Sequence, residues 1–300
     1  MKGRKIRTVQ SILMLLPNFL LFLLVSVYPV IWALQYMFYQ FNGINAKKFI
    51  GLDNFMRIFT RDPNFWISVR NTFVYAGGKI ILIIPLAFIV ALLINNRKRI
   101  YGGIQAVVFS PTIMSSAVMA LVFYLLFNVY SGEINRILLG MGLIKTSINW
   151  LGSDLAMFTV IIVAVWGGLG NYMVYFLAGL QQIDLALYES AEIDGVNRFQ
   201  RMWHITIPLL GPVLKTILML AIVNGFHDFQ SIMVMTEGGP LGATEVMYLY
   251  IYKLYFPTGD AVTFRPQYGY GAAVSVVTAL IVGAITLIYL RLSKKLDEIY

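Results

Sequence analysis

The chain of 300 residues is 59% hydrophobic and only 12% charged, with a formal net charge of +9. Soluble domains carry about 25% charged residues, so this chain has too few ionisable groups for an ordinary water-facing surface and must meet lipid. Its basic residues sit in short clusters between long uncharged runs, which fits membrane orientation and not nucleic-acid binding. The absence of cysteine, with only His204 and His227 as histidines, excludes disulfide frameworks, thiolate nucleophiles and Cys/His metal sites.

Runs free or nearly free of charge mark six candidate helices, because ~20 apolar residues cross a hydrocarbon core about 30 Å thick. They are Val9 to Tyr39, Thr72 to Asn95, Ile104 to Val129, Leu155 to Leu180, Leu209 to Met235 and Tyr268 to Leu290, more than half of the chain. The first follows Lys2, Arg4, Lys5 and Arg7 and resembles a signal peptide. Thr8 to Ala46 holds no charge at all, however, whereas a signal core spans about 7 to 15 residues, so the run reads as a retained helix kinked at Pro29.

The second run contains Gly77-Gly78-Lys79, which lacks the upstream glycine of a phosphate-binding loop and has Ile80 where a magnesium ligand belongs. The chain is therefore not expected to hydrolyse ATP or to carry a cofactor, and no catalytic residue is assigned. Lys79, near the outer end of this run, and Lys215, near the inner end of the fifth, read as snorkelling to headgroups. The fourth run carries Trp166-Gly167-Gly168-Leu169-Gly170-Asn171. Three glycines in four positions weaken a helix and permit close backbone approach, either for tight packing or for a groove at membrane depth.

Between the fourth and fifth runs lies Gln181 to Pro208, the only long inner loop. Asp184 to Ile193 predicts a short helix, Asp194-Gly195 a turn, and Asn197 with Gln200 a capping box for a second helix. Phe199, Met202, Trp203 and Thr206 follow the spacing of one helical face, bordered by Arg198 and Arg201. The product is a helix-turn-helix against the inner membrane face. In the fifth run, Asn224, His227 and Asp228 are polar, and Asp228 lies ~9 Å outward of the run's centre. A carboxylate at membrane depth costs several kcal/mol, so Asp228, the only acid within the runs, should face protein or water.

Placing the N-terminus inside makes the density of Lys and Arg in inner loops about twice that of outer loops, which predicts cytosolic termini. Outer loops at roughly 40–71, 130–154 and 236–267 are long enough for small caps or docking surfaces. The expected organisation is an N-terminal helix with the first outer loop over 1–71, a core of five helices over 72–290 containing the hairpin 181–208, and a cytosolic tail over 291–300.

Tyr188-Glu189-Ser190-Ala191-Glu192-Ile193-Asp194-Gly195, followed after nine residues by Ile205-Thr206-Ile207-Pro208, closely resembles the EAA loop of ATP-binding-cassette (ABC) importer permeases. Ser190 stands for the second residue of that pattern and Ile207 for its leucine. Phe49-Ile50-Gly51-Leu52-Asp53-Asn54-Phe55, Asn71-Thr72, Gly238-Gly239-Pro240 and Tyr268-Gly269-Tyr270-Gly271-Ala272-Ala273 are similar to phrases of carbohydrate-importer permeases of the maltose and glycerol-phosphate type. The resemblance covers nearly the whole chain.

It implies an all-helical membrane protein of the type I importer fold, with six transmembrane helices, the first packed outside the other five, in a bacterial or archaeal cytoplasmic membrane. It also implies as partners a second permease subunit, two cytosolic ABC ATPase subunits, an extracytoplasmic solute-binding protein and a carbohydrate substrate. Glu189, Ser190, Ala191, Asp194, Gly195, Trp203, Ile205 and Pro208 would then couple the chain to the ATPase. Trp166, Gly168, Asn171, Asn224, Asp228 and Phe229 would line the substrate pathway, with Asp228 either a sugar ligand or a structural pair. The function so implied is the permease subunit of an ATP-driven sugar importer, oligosaccharides foremost. Glycerol phosphate or another polyol-like solute is the alternative substrate. An ion-coupled secondary transporter is a rival class, against which stand the absent inverted repeat and the single acid within the runs.

Overall fold

The computed structural model describes residues 2–95, 100–257 and 265–294. The basic inner-loop residues 96–99, residues 258–264 of the third outer loop and most of the expected tail lie outside this set, as do the side chains of the N-terminal basic cluster. The helices in chain order are α1 Lys2–Phe22, α2 Tyr28–Leu34, α3 Asp53–Thr60, α4 Pro63–Ile94, α5 Ile100–Ile113, α6 Ser116–Leu126, α7 Glu133–Gly140, α8 Ala156–Leu180, α9 Leu185–Ile193, α10 Arg198–Arg201, α11 Ile207–Leu209, α12 Gly211–His227, α13 Gln230–Thr236, α14 Met247–Tyr255 and α15 Tyr268–Ser293. Strands β1 Tyr39–Gln40 and β2 Lys48–Phe49 pair antiparallel, Tyr39 opposite Phe49.

Four stretches, Ile12–Phe38, Pro63–Ile94, Ala156–Leu180 and Tyr268–Ser293, are long and apolar enough to cross a membrane. Two further candidates are bent pairs: Gly102–Ile113 with Ser116–Leu126, at 96°, and Arg198–Leu209 with Gly211–His227, at 69°. The third and fifth sequence runs are therefore not single rods. Pro111 lies in α5 and Ser115, with extended backbone, caps α6, so the ladder stops between them. The fifth run breaks a second time at Asp228-Phe229, between α12 and α13.

The expected kink at Pro29 takes a specific form. A π turn, Leu23–Val27, closes with the Tyr28 N–H donating to the Leu23 carbonyl, one residue farther back than in an α-helix. The same device recurs at Met202–Thr206, where Ile207 N–H donates to the Met202 carbonyl ahead of Pro208. Proline has no N–H and its ring collides with the carbonyl four residues back. One widened turn just before it carries the helix through without a break.

The chain divides into two compact units. The first, residues 1–63 and 251–280, holds α1, α2, the β-hairpin and α3. There the Asn54 amide donates to the carbonyls of Met37 and Tyr39 at 2.9 and 3.1 Å, fastening α3 to the chain leading into β1. The Tyr270 hydroxyl donates to Asp62, and the Arg57 guanidinium stacks 3.8 Å from the Tyr270 ring while bonding Gln267 at 2.8 Å. From Ile12 to Trp32 the side chains of α1 and α2 are almost all exposed, as lipid-facing residues would be.

The second unit, residues 64–250 and 281–300, has its core on α8, of which Val160, Val163, Met173 and Phe176 are buried against Ile83, Ala87 and Ile217. Small residues let backbones approach: a Cβ on Gly170 would lie 2.8 Å from the Phe109 Cα of α5, and one on Gly179 2.9 Å from Val213 of α12. Asn71 donates to the carbonyls of Gly242 and Glu245, and Thr72 accepts from the Met247 N–H at 2.9 Å. Two short phrases far apart in sequence, Asn71-Thr72 and the loop after Gly238-Gly239-Pro240, thus form one hydrogen-bonded corner.

Candidate functional site

In the second unit a cavity of about 360 Å3 opens where the two interrupted helices meet α8. Met114 and Ser116 flank the α5–α6 break, Asp228 and Phe229 form the α12–α13 break, and all four line it. The second break follows from local backbone geometry: Asp228 donates its N–H to the Asn224 carbonyl at 3.1 Å, turns extended at ψ 123°, and Phe229 starts the next helix. Non-helical backbone within a membrane is tolerated only where it is buried in protein or lines a cavity, and both breaks line this one.

Five of the six residues expected along a substrate pathway are brought together here: Gly168, Asn171, Asn224, Asp228 and Phe229. Trp166 is not in the lining; its ring meets Phe123 edge-on at 5.1 Å. The cavity adds polar groups that the sequence did not single out, namely Thr112, Ser116, Tyr172, Gln230 and Ser231. They lie inside apolar runs and carry no charge, so composition gave them no signal.

The largest correction concerns Lys79. It is buried and does not snorkel: its Nζ lies 2.7 Å from Asp228 Oδ2, which also accepts the Tyr75 hydroxyl at 2.7 Å. The reason is the length of α4. The charge of Arg70 made the run appear to begin at Thr72, but the helix begins at Pro63, which places Lys79 midway along it. The structural pairing of Asp228 is thus present within the chain, while the carboxylate still lines the cavity. His227, also in the lining, lies 4.7 Å ring to ring from Tyr248 of α14, outside the candidate spans. Burial raises the Tyr248 phenol above its ordinary value and keeps it protonated.

The hairpin takes the expected form. Asp184 caps α9 through the Ala186 N–H at 3.0 Å, and Asn197 with Gln200 forms a complete capping box on α10. Between them Gly195 has φ +73°, with its N–H donating to Glu192 and that of Val196 to Ala191, a left-handed helix stop that favours glycine. Ala191 is buried, Ser190 bonds back to the Ala186 carbonyl, Asp194 is the C-cap, and Glu189 is exposed with no ion-pair partner among the described residues.

The expected single face on the second helix does not hold. The π turn that includes Ile205 shifts the register, so Thr206 turns inward to meet the Tyr188 hydroxyl at 3.1 Å, while Phe199 and Trp203 remain together on the exposed side. Pro208 follows directly as the cause of that turn.

A family model described as "Binding-protein-dependent transport system inner membrane component" matches residues 83–298. The trehalose/maltose transport system permease protein MalF of Thermococcus litoralis is 34% identical, covering 94% of this chain and 92% of its own. The lactose transport system permease protein LacF of Rhizobium radiobacter is 33% identical over 86% and 85%, and the arabinooligosaccharides transport system permease protein AraP of Bacillus subtilis 32% over 92% and 86%. Among solved structures, a chain of a bacterial ABC transporter involved in import of the acidic polysaccharide alginate superimposes with TM-score 0.82 at 24% identity, over 96% of both chains. With the match running from α4 through the hairpin to α15, and near-full-length relatives above 30% identity, this chain belongs to the inner membrane components of binding-protein-dependent transport systems.

Proposed function

We propose that the chain is the permease subunit of an ATP-driven sugar importer, oligosaccharides foremost, in the cytoplasmic membrane of a bacterium or archaeon. The observation that carries this reading is near-full-length kinship, at 32–34% identity, with three permeases named for lactose, arabinooligosaccharides and trehalose/maltose. The cavity chemistry is compatible with it: amides, hydroxyls and one carboxylate bond sugar hydroxyls, and Phe229 offers a ring face for the pyranose.

In this reading α5 with α6 forms one span and α12 with α13 another, the hairpin ahead of α12 stays outside the membrane, six helices cross and both termini are cytosolic. Residues 72–290 form the pathway core, 1–71 the N-terminal transmembrane helix and first outer loop, and 291–300 a tail. Gly168, Asn171, Asn224, Asp228 and Phe229, with Trp166 beside them on α8, contribute half of a pathway completed by a second permease. A solute-binding protein docks on the outer loops, and two separate ABC ATPase subunits receive the hairpins. Glu189 bonds a basic group of the ATPase, and Ser190, Ala191, Asp194 and Gly195 shape the first helix and its turn. Trp203 supplies an exposed ring for the ATPase cleft, while Ile205 and Pro208 set the π turn that presents it. ATP binding draws the hairpins together and opens the cavity outward, and hydrolysis resets it.

Sugar uptake into vesicles containing the whole transporter tests the reading. Uptake that requires ATP and the binding protein, and survives collapse of the proton gradient, supports it. Uptake driven by an ion gradient without ATP overturns it.

A further inference from the structure

Beneath the hairpin a second, open cavity, of about 440 Å3, is lined by residues of α9, α10 and the ends of α4 and α8. Its walls are of two kinds. Leu92, Leu180, Leu185 and Met202 supply apolar surface, and Asn95, Arg198 and Arg201 supply a polar rim, with no carboxylate among the described lining residues. Neither arginine has an ion-pair partner among the described residues; Arg201 lies over the Tyr188 ring at 5.3 Å, and Tyr188 is held in turn by Thr206. Leu180 ends α8 and Leu92 lies near the end of α4, so the cavity sits at the ends of two helices long and apolar enough to cross a membrane. Arg97-Lys98-Arg99 follow Asn95 closely in sequence.

Two guanidinium groups without an ion-pair partner among the described residues, beside leucine walls, match an amphiphile with a phosphate head. Guanidinium forks match phosphate oxygens, and basic pockets between helix ends on the cytosolic side favour anionic headgroups. A free phosphate would leave the four apolar side chains with nothing to bury against; a lipid covers them with its glycerol and upper acyl carbons. We propose that this cavity holds an anionic phospholipid of the phosphatidylglycerol type, as a wedge between the hairpin and the helix ends. The proposal rests on the reading that the hairpin is cytosolic. It implies that the lipid is part of the mechanical link through which hairpin motion reaches α4 and α8.

The test is native mass spectrometry of the complete transporter extracted from membranes containing phosphatidylglycerol and phosphatidylcholine. Wild type should retain phosphatidylglycerol selectively. Arg198→Gln/Arg201→Gln should lower that retention about tenfold, and Arg198→Lys/Arg201→Lys should keep most of it. An excess of soluble glycerol phosphate should leave the lipid bound. Equal retention in the glutamine variant, equal retention of phosphatidylcholine, or displacement by glycerol phosphate would each overturn the lipid site. So would loss of the ATPase subunit from the glutamine variant with its lipid retained, which would assign the arginines to the ATPase. Because retention is read without transport, failure of ATP-dependent sugar uptake with selective retention intact counts against the importer reading alone.

Discussion

Asp228 Oδ2 has two donors from α4, the Lys79 ammonium and the Tyr75 hydroxyl, and its side chain remains 20% exposed toward the cavity. A largely buried pair stabilises mainly by being complete, since removing one partner leaves a poorly compensated charge. Lys79→Met should therefore cost several kcal/mol, toward the lower end of the ~3–5 kcal/mol of a fully buried pair because Asp228 keeps some solvent. Lys79→Met/Asp228→Asn should recover most of the loss in thermal unfolding of the purified transporter. If the carboxylate also binds substrate, this double variant regains stability but keeps a raised transport KM; a return of both would reduce Asp228 to a structural role. The sequence identified Asp228 by its isolation at membrane depth. It misread Lys79 because the run was ended at Arg70, whereas the helix continues through Arg70 to Pro63.

At the scale of elements, the hairpin was legible almost residue by residue, because caps and glycine stops are local chemistry: Asp184, Asn197 with Gln200, and Gly195 all act within a few residues of themselves. The breaks in the third and fifth runs were not, since an apolar run has the same composition whether straight or bent by 96°. The π turn before Pro208 was missed for a related reason: periodicity assumes a constant pitch, and one widened turn rotates everything after it. The hairpin yields two predictions. At Gly195 a Cβ would meet nothing within 4 Å, so Gly195→Ala carries only the left-handed backbone cost of about 1 kcal/mol and should keep most transport. Gly195→Pro cannot adopt φ +73° and loses the N–H bonded to Glu192, so uptake should vanish while the protein stays in the membrane. Glu189→Ala, at an exposed side chain without an ion-pair partner among the described residues, should abolish coupling with no loss of thermal stability. Unchanged uptake in Gly195→Pro or Glu189→Ala would dismiss coupling through this loop.

For the whole molecule the decisive quantity is how often the chain crosses the membrane, because four helices are long and apolar enough to cross alone and two further candidates are bent pairs. If Gly102–Ile113 with Ser116–Leu126 turned back instead of crossing, the loop around Tyr130 would share a side with the inner ends of α4 and α5, and every later element would change sides. Charge argues against that. Taken together, the loops that a six-span reading places inside carry about twice the density of lysine and arginine of those it places outside. The chain lacks cysteine, so single substitutions report side directly by labelling with membrane-impermeant maleimide. Tyr130→Cys, at a side chain 95% exposed, should label in intact cells. Glu192→Cys on the hairpin and Lys294→Cys beyond α15, both exposed, should label only after the membrane is opened. Labelling of Tyr130→Cys only in opened membranes would make the first bent pair re-entrant. Labelling of Glu192→Cys in intact cells would place the hairpin away from any cytosolic ATPase and remove the basis of the coupling mechanism.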